Sequence, residues 1–214
     1  MTFWSKKKLI RENRWFKIFE MEPGVEARVS KFMTGEAAIS ETALQAEWAL
    51  WGESEQLVFA QAFGVKSEIT QEDERILEFM MRSRDERLLA SIARCLTRHS
   101  NRKMVLSFLI ERLQSDGESK ANFLDALSKL GDREAIPKVR ALHDRLAAEI
   151  RRQGAETSEW SILDFVVSCS TLYKLGGETA YRDEIEPFLH HPSESVRTFS
   201  KISFEGGPPD FTRT

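Results

Sequence analysis

Cysteine is scarce in this chain, with two residues, Cys95 and Cys169, in 214. They lie far apart in apolar helical contexts, with no CxxC pair and no Cys/His neighbour. This excludes a disulfide framework and supplies no zinc motif, so both read as small core residues. Histidine is nearly as rare: His99, His143, His190 and His191 are the only imidazoles. None forms the HExxH pair that sets two ligands on one helical face, and the His-Glu dyads of di-iron hydroxylases are absent. No metal and no cofactor is therefore expected. There is no GxGxxG or GxxxxGK[ST] cradle for phosphates and no GxSxG nucleophile turn, so nucleotide-dependent and hydrolase chemistry lack a first motif. No apolar run approaches the length that crosses a bilayer, and the N-terminus has basic residues but no unbroken apolar stretch. These absences point to a soluble, cytoplasmic protein.

Charge of one sign is also missing in excess. Thirty-one Lys plus Arg against 34 Asp plus Glu leave a net charge of −3, a balance that disfavours a protein built around phosphate contacts. Nucleic acid is thus an improbable partner. A chain this long can bury roughly 70% of the surface its unfolded form exposes, enough for one large domain or two small ones.

What is present is repetition. Lys129-Leu130-Gly131-Asp132 and Lys174-Leu175-Gly176-Gly177 each close one apolar helical stretch and open another. Ala90, Ile92, Ala93, Cys95, Leu96 and Asn101 align with Ala121, Phe123, Leu124, Ala126, Leu127 and Asp132 at a shift of about 31 residues. A second alignment, from Leu127 to Ala135 onto Leu172 to Ala180, needs about 45, with the extra turns around Ala147 to Ser158. In each unit a first helix ends at a Gly suited to the left-handed C-terminal conformation. Asp132 then suits an N-cap, and Pro137 is acceptable in the first turn of a second helix bearing Val139, Leu142, Leu146 and Ile150. His191-Pro192-Ser193 separates a helix ending near Leu189 from a last one with Val196, Phe199 and Ile202, capped by Ser193. Upstream helices are expected at Ala43–Trp51, Glu55–Phe63 and Glu72–Met81.

The run Leu130-Gly131-Asp132-Arg133-Glu134-Ala135-Ile136-Pro137 resembles the inter-helix turn of HEAT-like repeats of the phycobilisome-lyase type, and the match covers roughly residues 85–204. The resemblance implies an all-α fold, a right-handed α-solenoid of stacked antiparallel helix pairs. Its second helices would line a concave side that holds a protein partner. The expected organisation is an N-terminal capping segment at 1–22, a repeat domain at 23–206 and a C-terminal tail at 207–214. The aromatic and basic N-terminal residues Phe3, Trp4, Lys6, Lys7, Lys8, Trp15, Phe16 and Phe19 either cap the open end of the stack or anchor to a membrane or partner. Trp48 and Trp51 are expected in the core at the same end.

Two groups of residues are candidates for function. Lys138, Arg145 and Arg152 recur every seven residues on the long second helix and so share nearly one face, a basic stripe that could dock an acidic partner. The plain alternative is a solvated helix face. Trp160 and Asp164, four apart on one helix, together with Arg197, resemble the Trp, Asp and Arg arrangement of HEAT-like alkylpurine DNA glycosylases. There the carboxylate stabilises positive charge developing on the sugar. The plain alternative is Trp160 as a packing wedge and Asp164 as an exposed or Arg-paired acid. The reading favoured by the whole sequence is a noncatalytic scaffold that binds another protein through Lys138, Arg145 and Arg152, for example as a bacterial immunity or regulatory adaptor protein. The alternative is the glycosylase-related enzyme.

Overall fold

The computed structural model describes residues 40–64, 66, 68–115 and 120–206. The expected capping segment at 1–22 and tail at 207–214 lie outside the described residues. The described residues are helical and contain no strand. The chain divides into two compact units, residues 1–100 and 101–214.

In the first unit the helices are α1 (Glu41–Trp48), α2 (Glu53–Gly64), α3 (Gln71–Met80) and α4 (Glu86–Leu96). Their starts follow local chemistry. Ser40 Oγ accepts the N–H of Ala43, and Thr70 and Asp73 form a reciprocal capping box that satisfies two backbone donors otherwise left without helical partners. Trp48 packs edge-on to Phe59 and Phe79 and tilts against Trp51, while Phe59 tilts against Phe63. Trp51 is buried and Trp48 half-buried, as expected of core aromatics. Helices α2 and α4 approach closely: a Cβ added to Gly64 would sit 2.0 Å from the backbone oxygen of Ser91. Only glycine lets the two backbones meet there.

The second unit comprises α5 (Arg102–Leu113), α6 (Ala121–Leu130), α7 (Ile136–Gln153), α8 (Glu159–Gly176), the single turn α9 (Ala180–Asp183) and α10 (Glu194–Phe204). Gly131 and Gly177 end α6 and α8 with φ of 69° and 78°, the left-handed conformation anticipated from the repeated turn. Asp132 does cap, but it caps a short 3-10 turn, Arg133–Ala135, from which α7 continues with Pro137 in its first turn. The segment before His191 differs from the expected helix. It is α9 followed by a 3-10 turn, Glu186–His190, because Pro187 withholds a backbone donor and favours a tight start.

Helix α8 organises this unit. It packs on α6, α7, α9 and α10, and most of its residues from Ile162 to Leu175 are buried. A helix apolar around most of its circumference belongs at a centre rather than on a surface. The hairpins are α5–α6 and α7–α8. Arg102 at the start of α5 donates to the carbonyl of Leu130 at the end of α6, and Ser161 at the start of α8 donates to Glu149 near the end of α7. Since the main neighbour of α7 is α8, the Lys-Leu-Gly-Asp turn joins one pair to the next instead of linking the helices of one pair. Thr171 secures α8 to α6 by donating to the carbonyl of Leu124 at 3.2 Å. Buried Asp125 pairs with Lys129 one turn on, and burial holds the nearby Lys174 amine below its ordinary range.

Candidate partner-binding site

The apolar positions Val139, Leu142, Leu146 and Ala147 turn α7 inward and are buried. That orientation necessarily sends Lys138, Arg145 and Arg152 outward, and all three are exposed. Between them Ala141 and Ala148 are exposed as well, so the seam reads Lys, Ala, Arg, Ala, Arg along the helix. With a rise of 1.5 Å per residue the cations stand about 10 Å apart over about 21 Å. Among the described residues, none of the three makes an ion pair or side-chain hydrogen bond. Arg140 is different: its guanidinium donates to Tyr181 Oη and pairs with Glu178, both at 3.0 Å. The bond to Tyr181, followed by the attraction of Glu178, holds it above its ordinary pKa.

Trp160 sits in the first turn of α8 and is 57% exposed. The packing role expected of it is therefore not the one it has. The bond from Ser161 Oγ to Glu149 Oε1, 2.9 Å long, brings this turn beside the last turns of α7. Trp160 thus stands at the end of the hairpin where the stripe finishes at Arg152. A large exposed apolar ring, at the end of a hairpin that also carries exposed cations, belongs to the residue types in which interfaces are enriched.

The Trp160, Asp164 and Arg197 group has separate partners. Asp164 is buried, not exposed. It is 4% exposed, and both its oxygens accept the backbone N–H of Lys120 at 2.8 Å. Arg197 donates to the carbonyls of His191 and Pro192 in the turn that precedes its own helix. Ser193, expected to cap that helix, occupies the N-cap position without a side-chain cap bond; its backbone N–H meets His191 Nδ1 instead. Arg197 also lines a shallow depression of about 440 Å³ with Lys201 and Phe204, to which Trp160 and Asp164 do not contribute.

One cluster was not legible in the sequence. His143 on α7, Cys169 on α8 and Glu184 just after α9 place an imidazole nitrogen, a thiol sulfur and a carboxylate oxygen within 4.8 Å of one another. The spacings of 26 and 15 residues match no ligand motif, and only the packing of α7 and α9 on α8 brings them together. The His143 ring stacks on Phe165, with centroids 5.0 Å apart, and meets the edge of Tyr181 at 5.2 Å.

No helix among the described residues is long and apolar enough to cross a membrane. Compared with known proteins, the chain matches no protein-family model, no curated protein and no solved structure.

Proposed function

We propose that this protein is a noncatalytic helical scaffold of HEAT-like type that binds another protein through Lys138, Arg145 and Arg152 on α7, with Trp160 as the apolar anchor at the end of the stripe. The observation that carries this reading is the exposed cationic seam, unpaired among the described residues, that runs toward an exposed tryptophan. The partner it fits is an acidic surface with carboxylates spaced along about 20 Å and an apolar pocket at one end. In an assembly of this kind charge gives orientation and on-rate, while the buried aromatic ring gives residence time. A bacterial immunity or regulatory adaptor role is the form of scaffold that the slightly acidic chain suits.

The test is affinity capture of the tagged full chain from host lysate, split into nuclease-treated and untreated halves. It is run beside the variant Lys138→Glu, Arg145→Glu, Arg152→Glu. A stoichiometric protein that resists nuclease and is lost from the charge-reversed variant supports the reading. Equal capture by both forms overturns the choice of face. Nucleic acid recovered alone overturns the scaffold itself and turns attention to excision of alkylated bases, assayed with Asp164→Asn.

A further inference from the structure

We propose that His143, Cys169 and Glu184 form a three-ligand site for a divalent transition metal of the zinc class. The three donor atoms lie within 4.8 Å of one another, each from a different segment of the second unit. Imidazole, thiolate and carboxylate together are a borderline donor set; thiolate selects against magnesium and calcium, which take oxygen ligands.

The hydrogen bonding of His143 supports the assignment independently of proximity. Both ring nitrogens face carboxylates: Nδ1 lies 3.0 Å from Asp144 Oδ1, and Nε2 lies 3.2 Å from Glu184 Oε2. In either neutral tautomer one ring nitrogen turns its lone pair toward a carboxylate, an arrangement that a second ring proton or a divalent cation relieves. A carboxylate on the far nitrogen is also the usual partner of a metal-bound histidine, because it fixes the tautomer and strengthens the ligand. Packing between Phe165 and Tyr181 fixes the ring plane.

Cys169 is buried on α8, so its sulfur meets the other two donors inside the helix packing and away from bulk water. Loading forms Sγ–metal, Nε2–metal and carboxylate–metal bonds and displaces three waters from the aquo ion. One proton leaves Sγ and, where Nε2 carries one, a second leaves the ring. Tetrahedral donors at about 2.0–2.3 Å from zinc stand about 3.5 Å apart, so the widest separation contracts by about 1 Å. Glu184 can supply that movement, since its side chain is 42% exposed and, among the described residues, is bonded through His143 alone. Three protein donors leave one tetrahedral position to solvent.

Cobalt(II) added to the metal-stripped full chain is the probe. The expected result is one equivalent bound with tetrahedral visible bands and a sulfur-to-cobalt charge-transfer band, all displaced by zinc. Cys169→Ser removes the charge-transfer band, Cys95→Ser leaves it intact, and Asp144→Asn weakens binding about 10–100-fold. Absence of saturable binding, an octahedral spectrum, or an unchanged spectrum in Cys169→Ser overturns the site. Should Cys169→Ser fail to fold by circular dichroism, the exposed Glu184→Gln decides: at least about tenfold weaker cobalt binding supports the site, and unchanged affinity overturns it.

Discussion

Asp164 on α8 caps a helix 44 residues earlier in the chain: both its oxygens take the backbone N–H of Lys120, the residue before α6. Lys120 offers α6 no side-chain cap of its own. Asp164 does from another helix what the acidic member of a capping box does locally. Because the acceptor is charged and buried, Asp164→Ala is expected to lower unfolding free energy by about 1.5–3 kcal/mol, and Asp164→Asn by less. Urea titration of the three proteins with an unchanged m-value checks this. A change below about 0.5 kcal/mol for the alanine variant would show that the bond carries no weight.

Of the described glycines of the first unit, Gly52 and Gly64, the second is expected to be the less replaceable. The Cβ of Gly64→Ala would meet the carbonyl oxygen of Ser91 at 2.0 Å, so α2 and α4 must separate. Overpacking of backbone against backbone costs at least about 1–3 kcal/mol. Gly131→Ala meets no atom within 4 Å, and its loss comes only from the left-handed backbone, about 1 kcal/mol. Thermal melts of the two variants should rank in that order.

Trp160→Ala is expected to separate stability from binding. Its ring is more than half exposed, so the melting free energy should change by no more than about 0.5 kcal/mol. Partner capture should fall, and the capture that remains should weaken further with added salt as Lys138, Arg145 and Arg152 are screened. A variant that loses stability but keeps its partner would return Trp160 to a packing role.

Acid sensitivity has an identifiable source in Glu74. The backbone N–H of Ser100 donates to its carboxylate at 2.6 Å and holds it below the usual range, with the Ser100 hydroxyl assisting and partial burial opposing. The folded state therefore releases this proton more readily than the unfolded state. The stabilisation is full above the unfolded pKa of about 4.3 and is lost as pH falls through the lower folded value. Wild type should exceed Glu74→Gln in stability at pH 7, and the gap should close in acid. A gap independent of pH would contradict the linkage.

Cys95 is expected to resist alkylation in the native state. It is fully buried, and burial raises its thiol to about 11, so little thiolate exists near neutral pH. Mass-mapped iodoacetamide labelling should mark Cys95 rapidly only in denaturant; native labelling at a comparable rate would show that α4 opens readily.

The helices were legible where punctuation was local. Gly131, Asp132 and Pro137 mark the end of α6 and the start of α7 by backbone chemistry alone, and the period of Val139, Leu142 and Leu146 gives the buried face and hence the outward stripe. How helices pair was not legible, since the repeated Lys-Leu-Gly reads equally well within a pair or between pairs. The role of Asp164 depends on an N–H 44 residues away, and the exposure of Trp160 depends on its place in the first turn of α8, where it is 57% exposed. The His143, Cys169 and Glu184 cluster has no sequence period because three separate segments contribute to it.

The central position of α8 sets an order of events during synthesis. Helices α5, α6 and α7 are synthesised before residue 159, yet α8 supplies the largest share of the packing of both α6 and α7. A nascent chain that stops short of α8 lacks that packing and leaves Lys120 without the acceptor that Asp164 provides. Linear repeat arrays gain stability one unit at a time. Here much of it waits for one shared helix, on which α6, α7, α9 and α10 all pack.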